Sequence, residues 1–380
     1  MTITGAPPTR VAPKEESQAP LKEARRRRLR WLGGAVIAAC VGALIIGLLH
    51  GGGAPRPPAV HGSRPSRSAP LSQPSRSALA AGALLDRPQA LAVDPNGDVF
   101  ISNQGSNQVL VRLPSGNVMP FAGDGHAGFG GDNGPAVAAE LNVPQGIAVG
   151  GNGVVYVADS GNNRIRAIAP GGVITTVAEV AGPGALCLGP SNSLYVVDGV
   201  GVQEIASNGA ITTILPLSTV VNGTIVNEPA MGGSPFAFFP SALAATPKGD
   251  LYIADSSPKL LLDFAHGTLS LVGAQSVDQG GPYVTANGLV ASPSGAVYVG
   301  DYGAFAVDRV IGTSLTPVFT FALHSVPGLD GFRPSGVAVT SNGTVYVDTD
   351  GVNGGSNRPA LVSLSPDGRV HLLAAGPLTP

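Results

Sequence analysis

The sequence predicts an all-β chain, a six-bladed β-propeller of four-stranded antiparallel blades, behind one N-terminal transmembrane helix. Three observations predict it. First, the stretch Pro144 to Ala178 breaks into four short apolar runs, GIAV, VVYVA, RIRAIA and VITTVA, separated by Gly, Asn, Asp or Pro. That is the pattern of four antiparallel strands joined by tight turns. Second, the pattern recurs around Phe100, Tyr156, Tyr195, Tyr252, Tyr298 and Tyr346, which lie 39 to 57 residues apart. A lone four-stranded sheet cannot bury both faces, so repetition at this period implies blades packed radially. Third, Leu32 to Leu49 is an uncharged run of 18 residues.

From the N-terminus, residues 1–31 are polar and proline-bearing with no apolar period, the composition of a disordered tail. They end in the basic cluster Arg25–Arg28 and Arg30. The run 32–49 makes about 27 Å of helix, close to the hydrocarbon thickness of a bilayer, roughly 30 Å. Eight basic against three acidic residues in the tail keep the N-terminus in the cytoplasm and put the remainder outside. Two alternatives remain: a cleaved signal peptide, and a lipoprotein signal ending at Cys40, since Ile37-Ala38-Ala39-Cys40 fits a lipobox. The uncleaved anchor is preferred because the apolar run continues past Cys40 to Leu49 and 51–58 is a poor cleavage context. Residues 50–82, rich in Pro, Ser, Gly and Arg, read as an extended stalk. The propeller occupies 83–376.

Within each repeat, the position three before the aromatic is Gly97, Gly153, Asn192, Gly249, Gly295 or Gly343. These residue types tolerate positive φ, so a left-handed turn is expected between the first two strands. Ten before the aromatic stand Ala90, Gly146, Ala185, Ala242, Gly288 and Gly336, all small, where six backbones crowd one axis. The last repeat is expected to supply its own outer strand, 369–374, so that closure needs no strand from the N-terminal side, with Ser77 to Gly82 left as a segment that could add to an edge. Cys40 and Cys187 lie in different regions and do not pair; Cys187 is expected to be a small core residue.

The residues PQGIAVGGNGVVYVADSGNNRI and RPQALAVDPNGDVFISNQGSNQV resemble NHL repeats, and Ala122 to Pro144 is similar to the linker between bacterial NHL repeats. The resemblance implies a propeller and no particular activity. The arrangement is similar to that of membrane-anchored bacterial NHL sensor propellers, except that no kinase domain is present.

The first residue of each innermost strand is expected to line the channel mouth: Gln89, Gln145, Gly184, Ser241, Asn287 and Ser335. The inserts 123–143, 216–239 and 274–286 and the turn 350–359 are expected on the same face, where loop-borne function gathers. This ring is polar but holds no His, Asp, Glu, Cys or Lys. The NHL-like propeller lyases that the pattern also resembles depend on His or metal chemistry there. Of the six histidines, only His126 and His324 are placed to reach the mouth face, and no H-x-x-H spacing suggests a metal site. A carboxylate column, Asp159, Asp198, Asp255 and Asp301 with Asn103 and Thr349, invites a calcium reading. The mixture with Asn and Thr suits backbone-capping turns better.

From residue 83 onward there are 10 basic and 21 acidic residues, net −11, which disfavours nucleic acid as a partner. The expectation is a ligand-binding or protein-interaction module, a sensor or scaffold, for an extracytoplasmic peptide, glycan or protein. The expected contacts are Gln89, Gln145, Ser241, Asn287, Ser335 and His126, with no cofactor and no metal. The alternative is a propeller lyase or hydrolase with its site at the channel mouth.

Overall fold

A computed structural model describes residues 85–217, 240–256, 260–272, 286–321, 333–349 and 359–375. The expected tail, helix and stalk, and most of the inserts at 216–239, 274–286 and 350–359, lie outside them, as does His324.

The described residues form six four-stranded antiparallel sheets, each built from strands consecutive in sequence. Blade 1 is β1 (Pro88–Val93), β2 (Val99–Asn103), β3 (Gln108–Arg112) and β4 (Val118–Ala122). Blade 2 is β5 (Pro144–Val149), β6 (Val155–Asp159), β7 (Arg164–Ile168) and β8 (Ile174–Glu179). Blade 3 is β9 (Leu186–Leu188), β10 (Leu194–Val197), β11 (Gly201–Ile205) and β12 (Ile211–Pro216). Blade 4 is β13 (Pro240–Ala245), β14 (Leu251–Asp255), β15 (Leu260–Ala265) and β16 (Thr268–Val272). Blade 5 is β17 (Ala286–Ala291), β18 (Val297–Asp301), β19 (Ala306–Ile311) and β20 (Ser314–Thr320). Blade 6 is β21 (Val337–Val339), β22 (Val345–Thr349), β23 (Ala360–Leu364) and β24 (Val370–Ala375).

The turn between the first two strands follows the expected chemistry. Gly97, Gly153, Asn192, Gly249, Gly295 and Gly343 all have φ between +59° and +97°. A side chain branched at Cβ would be strained there. The aromatic column of the second strands faces small partners on the first: Phe100 opposes Ala92, Tyr156 opposes Ala148, and Tyr195 opposes Cys187. Cys187 thus fills a position held by alanine in blades 1 and 2, and it is half-buried against the core between blades 3 and 4 where the sequence suggests a core residue. Burial pushes its thiol up to about 12, which leaves it a poor nucleophile.

The blades close into a ring. β1 packs against both β5 and β21, and the other innermost strands contact their neighbours in order. Six hydrophobic clusters lie one between each pair of adjacent blades. Phe100, Val109 and Phe121 meet Ile147 and Val157 between blades 1 and 2. There the Phe100 and Phe121 rings stack edge to face at 4.8 Å, a geometry worth about 1 kcal/mol beyond burial. On the closing side, Leu91, Ile101 and Leu110 of blade 1 meet Ala338, Leu361 and Ala374 of blade 6. β24 pairs with β23, so the last blade does complete itself. Small residues at the axis follow from the same crowding: a Cβ on Gly288 would stand 2.8 Å from the Ser335 carbonyl oxygen and 2.9 Å from the Val337 nitrogen.

The insert 123–143 is part of the packing. Asn133 N–H donates to the Ile174 carbonyl, and Ile174 N–H to that of Gly134, so the insert runs along the free edge of β8. Ala136–Ala138 form one 3-10 turn, and Ala136, Ala139 and Leu141 are buried between blades 1 and 2. An edge strand left bare is an aggregation hazard, and here the insert covers part of it.

Candidate functional site at the channel mouth

The channel is built from the first strands of all six blades, and it holds two hollows. At the strand starts a cavity of about 290 Å³ is lined by Gln89, Gln145, Ser241, Asn287 and Ser335 together with the small and apolar residues that follow them. At the strand ends a larger cavity of about 560 Å³ is lined mainly by apolar residues, including Val93, Val149, Leu188 and Val290. Leu91, Ile147, Leu186, Leu243 and Leu289 border both, and so form an apolar collar between a polar mouth and an apolar far end.

Local backbone geometry explains how the mouth side chains reach the axis. The pairing of first and second strands slips at Pro88/Ala90, Pro144/Ile147, Pro240/Ala242 and Ala286/Gly288. The residues left out of register are Gln89, Gln145 with Gly146, Ser241 and Asn287. A bulge frees a residue from the ladder and re-aims its side chain. Ser241 Oγ donates onward to the Ala254 or Ala286 carbonyl, each at 3.3 Å. The structure therefore brings five of the six expected contact residues into one hollow. Gly184 does not line it. His126 does not either: it is exposed on the insert, its ring Nδ1 3.2 Å from Asp124 Oδ2.

Sequence reasoning missed Asp348. It stands on β22, fully buried, directly behind the mouth. Its Oδ1 accepts hydrogen bonds from Ser335 Oγ, at 2.7 Å, and from the Gly336 N–H. The signal was present in the repeat. Two residues after each aromatic stand Ser102, Ala158, Val197, Ala254, Gly300 and Asp348, so a carboxylate departs from a column of uncharged, mostly small residues. Ser102 does a related job in blade 1, accepting from Ala90 N–H at 3.0 Å.

The carboxylate column is structural, as its composition suggests. Asp198 Oδ1 accepts from Val200 and Gly201 N–H, and Asp301 Oδ1 from Gly303 and Ala304 N–H. In blades 1 and 2 the bonds run differently from the expected turn. Asn103 Oδ1 takes the Asp86 N–H and Asp159 Oδ1 the Asn142 N–H, tying the incoming segment to the blade. Among the described residues, no group of three or more His, Cys, Asp or Glu is arranged to hold a metal.

Blade 2 carries a buried cation. Arg166 is fully buried, and its guanidinium reaches Asp159 Oδ2 at 3.2 Å and Asp132 Oδ1 at 2.8 Å. It also donates to the carbonyls of Glu140 and Gly130. It thereby locks the insert to blade 2, while Arg164 stacks on Phe129 with its guanidinium carbon 3.8 Å from the ring centre. In blade 5 the equivalent third-strand position is Asp308. Burial and the nearby Asp301 carboxylate push its pKa up to about 6.

Six consecutive four-stranded blades closed around one channel define a six-bladed β-propeller. Residues 117–182, which span the insert and blade 2, match the model of the Teneurin NHL domain. Teneurin-4 of Homo sapiens and that of Mus musculus are each 37% identical over 105 residues, covering 24% of this chain and 4% of theirs. The chain thus spans a small fraction of the length of the curated relatives it matches. A solved streptogramin B lyase superposes with a TM-score of 0.50 at 13% identity, over 76% of this chain and 83% of that one, a likeness of fold alone. The described residues form a six-bladed β-propeller, and over 117–182 the chain is similar to an NHL domain.

Proposed function

We propose that this propeller is a ligand-binding or protein-interaction module whose binding site is the channel mouth. The observation that carries the reading is the chemistry of the hollow of about 290 Å³. Its polar lining side chains are two glutamines, one asparagine and two serines, and none of its lining residues is charged. Amides and hydroxyls both donate and accept, which suits recognition of a peptide, glycan or protein segment. A general acid, general base or activated nucleophile is what turnover would ask of such a site. Asp348, which does not line the hollow, lies behind Ser335 with its Oδ1 already bonded.

The proposal extends to location. Leu32 to Leu49 anchors the chain once in the cell membrane of a bacterium, with the N-terminus cytoplasmic and the propeller outside. The 18-residue uncharged run and the basic cluster before it support this. A reporter active only outside the cytoplasm is expected to work when fused after Gly82 and to fail after Leu21; the opposite pattern reverses the topology.

The binding reading is tested on peptide and glycan arrays with the full chain. Signals of the wild type are expected to fall at least tenfold in the Gln145→Ala/Asn287→Ala double variant. They are expected to persist in Thr212→Ala on the exposed outer strand. Ligands whose capture ignores the mouth variant, or a substrate turned over at the mouth, would overturn it.

A further inference from the structure

Ser335 differs from Ser241, whose hydroxyl donates to a backbone carbonyl at 3.3 Å, in giving its proton to a carboxylate. A serine carries one proton and two lone pairs. Here the proton is committed inward. Ser335 Oγ lies 2.7 Å from Asp348 Oδ1 and 3.3 Å from the Asp348 carbonyl oxygen, and both are acceptors. The carboxylate is held in place in turn: the same Oδ1 takes the Gly336 N–H, and Asp348 N–H donates to the Gly336 carbonyl at 3.1 Å. The backbone clamps the pair from the other side, since Ser335 N–H donates to the Asp348 carbonyl at 2.9 Å. With its proton turned away from the hollow, Ser335 presents only lone pairs to a ligand. A hydrogen bond to a carboxylate also places more negative charge on the hydroxyl oxygen than a neutral acceptor would.

The rest of the hollow complements such a group. Gln89, Gln145 and Asn287 each bring an amide carbonyl, and no residue that lines the cavity is cationic. The surrounding propeller, from residue 83 onward, carries 10 basic and 21 acidic residues and attracts positive charge over a longer range.

We propose that the channel mouth recognises a primary ammonium group, with Ser335 as its fixed acceptor and Asp348 as the residue that positions Ser335. This rests on the reading of the mouth as a binding site and names the ligand chemistry that site takes. The amide carbonyls of the glutamines and asparagine accept the remaining ammonium protons. Asp348 acts through Ser335 and does not itself touch the ligand. A lysine side chain or a free peptide N-terminus carries such a group.

The test uses N-acetyl-lysine amide and its Nε-acetylated counterpart as probes, titrated against the full chain by saturation-transfer NMR. The ammonium probe is expected to bind at least tenfold more tightly than the neutral acetylated one. Ser335→Ala is expected to cost the ammonium probe about tenfold and to leave the acetylated probe within twofold, a split that a general loosening of the fold would not produce. Asp348→Ala removes the side-chain acceptor of the Ser335 proton and is expected to narrow the preference between the probes. If that variant does not fold, the Ser335→Ala comparison still decides. Equal affinity for the two probes, or ammonium binding indifferent to Ser335→Ala, overturns the proposal. If neither probe binds while array ligands still depend on Gln145 and Asn287, the ammonium assignment fails and the binding reading stands.

Discussion

Asp308 shows how one repeat column can hold opposite charges. Two residues along the third strand from the partner of Asp159 or Asp301, blade 2 places Arg166 and blade 5 places Asp308. Blade 3 places Gln203 at the matching position, and its amide donates to Asp198. Asp308 receives no such help, and burial with Asp301 nearby raises it from its ordinary 3.8 to about 6. The direction fixes the pH dependence. Below pH 3.8 folded and unfolded chains both hold the proton, and Asp308 costs nothing. As pH rises toward 6 the unfolded chain ionises first, so stability falls. Above about 6 the full cost is present, on the order of 2 kcal/mol once partial solvation is allowed for. Asp308→Asn is therefore expected to raise the urea midpoint at pH 7.5 and leave it unchanged at pH 3.5. An equal gain at both pH values would show that the carboxylate charge is not the cause.

At the scale of elements, the turn, the bulge and the insert were legible to different degrees. The left-handed turns were legible because only Gly and Asn fit them cheaply, and the six positions in the column match. The mouth positions were legible as a register offset, but the bulges that turn Gln89, Gln145, Ser241 and Asn287 inward leave no residue-type signature. The insert 123–143 reads as a functional loop because the repeat offset puts it on the mouth face. Its packing depends on Arg166, 26 residues beyond Glu140, and that long-range pairing is not visible in any local window. Asp348 is hard to read from sequence because the carboxylate appears at its column in one repeat only, and its tie to Ser335 joins two different strands. The structural weight of the insert is measurable. Arg166→Met leaves Asp159 buried without its cation, and is expected to cost about 3–5 kcal/mol in urea unfolding. It should also expose the glycines between 125 and 131 to protease. Adding Asp159→Asn should recover part of the loss. Neutral behaviour of the single variant would mean that the insert holds without its latch.

For the whole molecule, closure comes from apolar contact between blade 6 and blade 1. Every blade takes its four strands from one continuous segment. Deleting residues 51–80 is therefore expected to leave the thermal midpoint of the propeller within about 2 °C, because all six described blades draw their strands from 88–375. A large drop would show that the stalk contributes structure. The channel gives the molecule its polarity, with amides and hydroxyls at the strand starts and aliphatic side chains at the strand ends. The central claim is that ligands engage the polar end. Hydrogen–deuterium exchange of the full chain, with and without a ligand taken from the arrays, tests it most directly. Added protection is expected over 88–91, 144–147, 240–243, 286–289 and 335–337. Protection confined instead to the outer strands β8, β12, β16 and β24, or to the apolar end around 93–95 and 188–190, would contradict it.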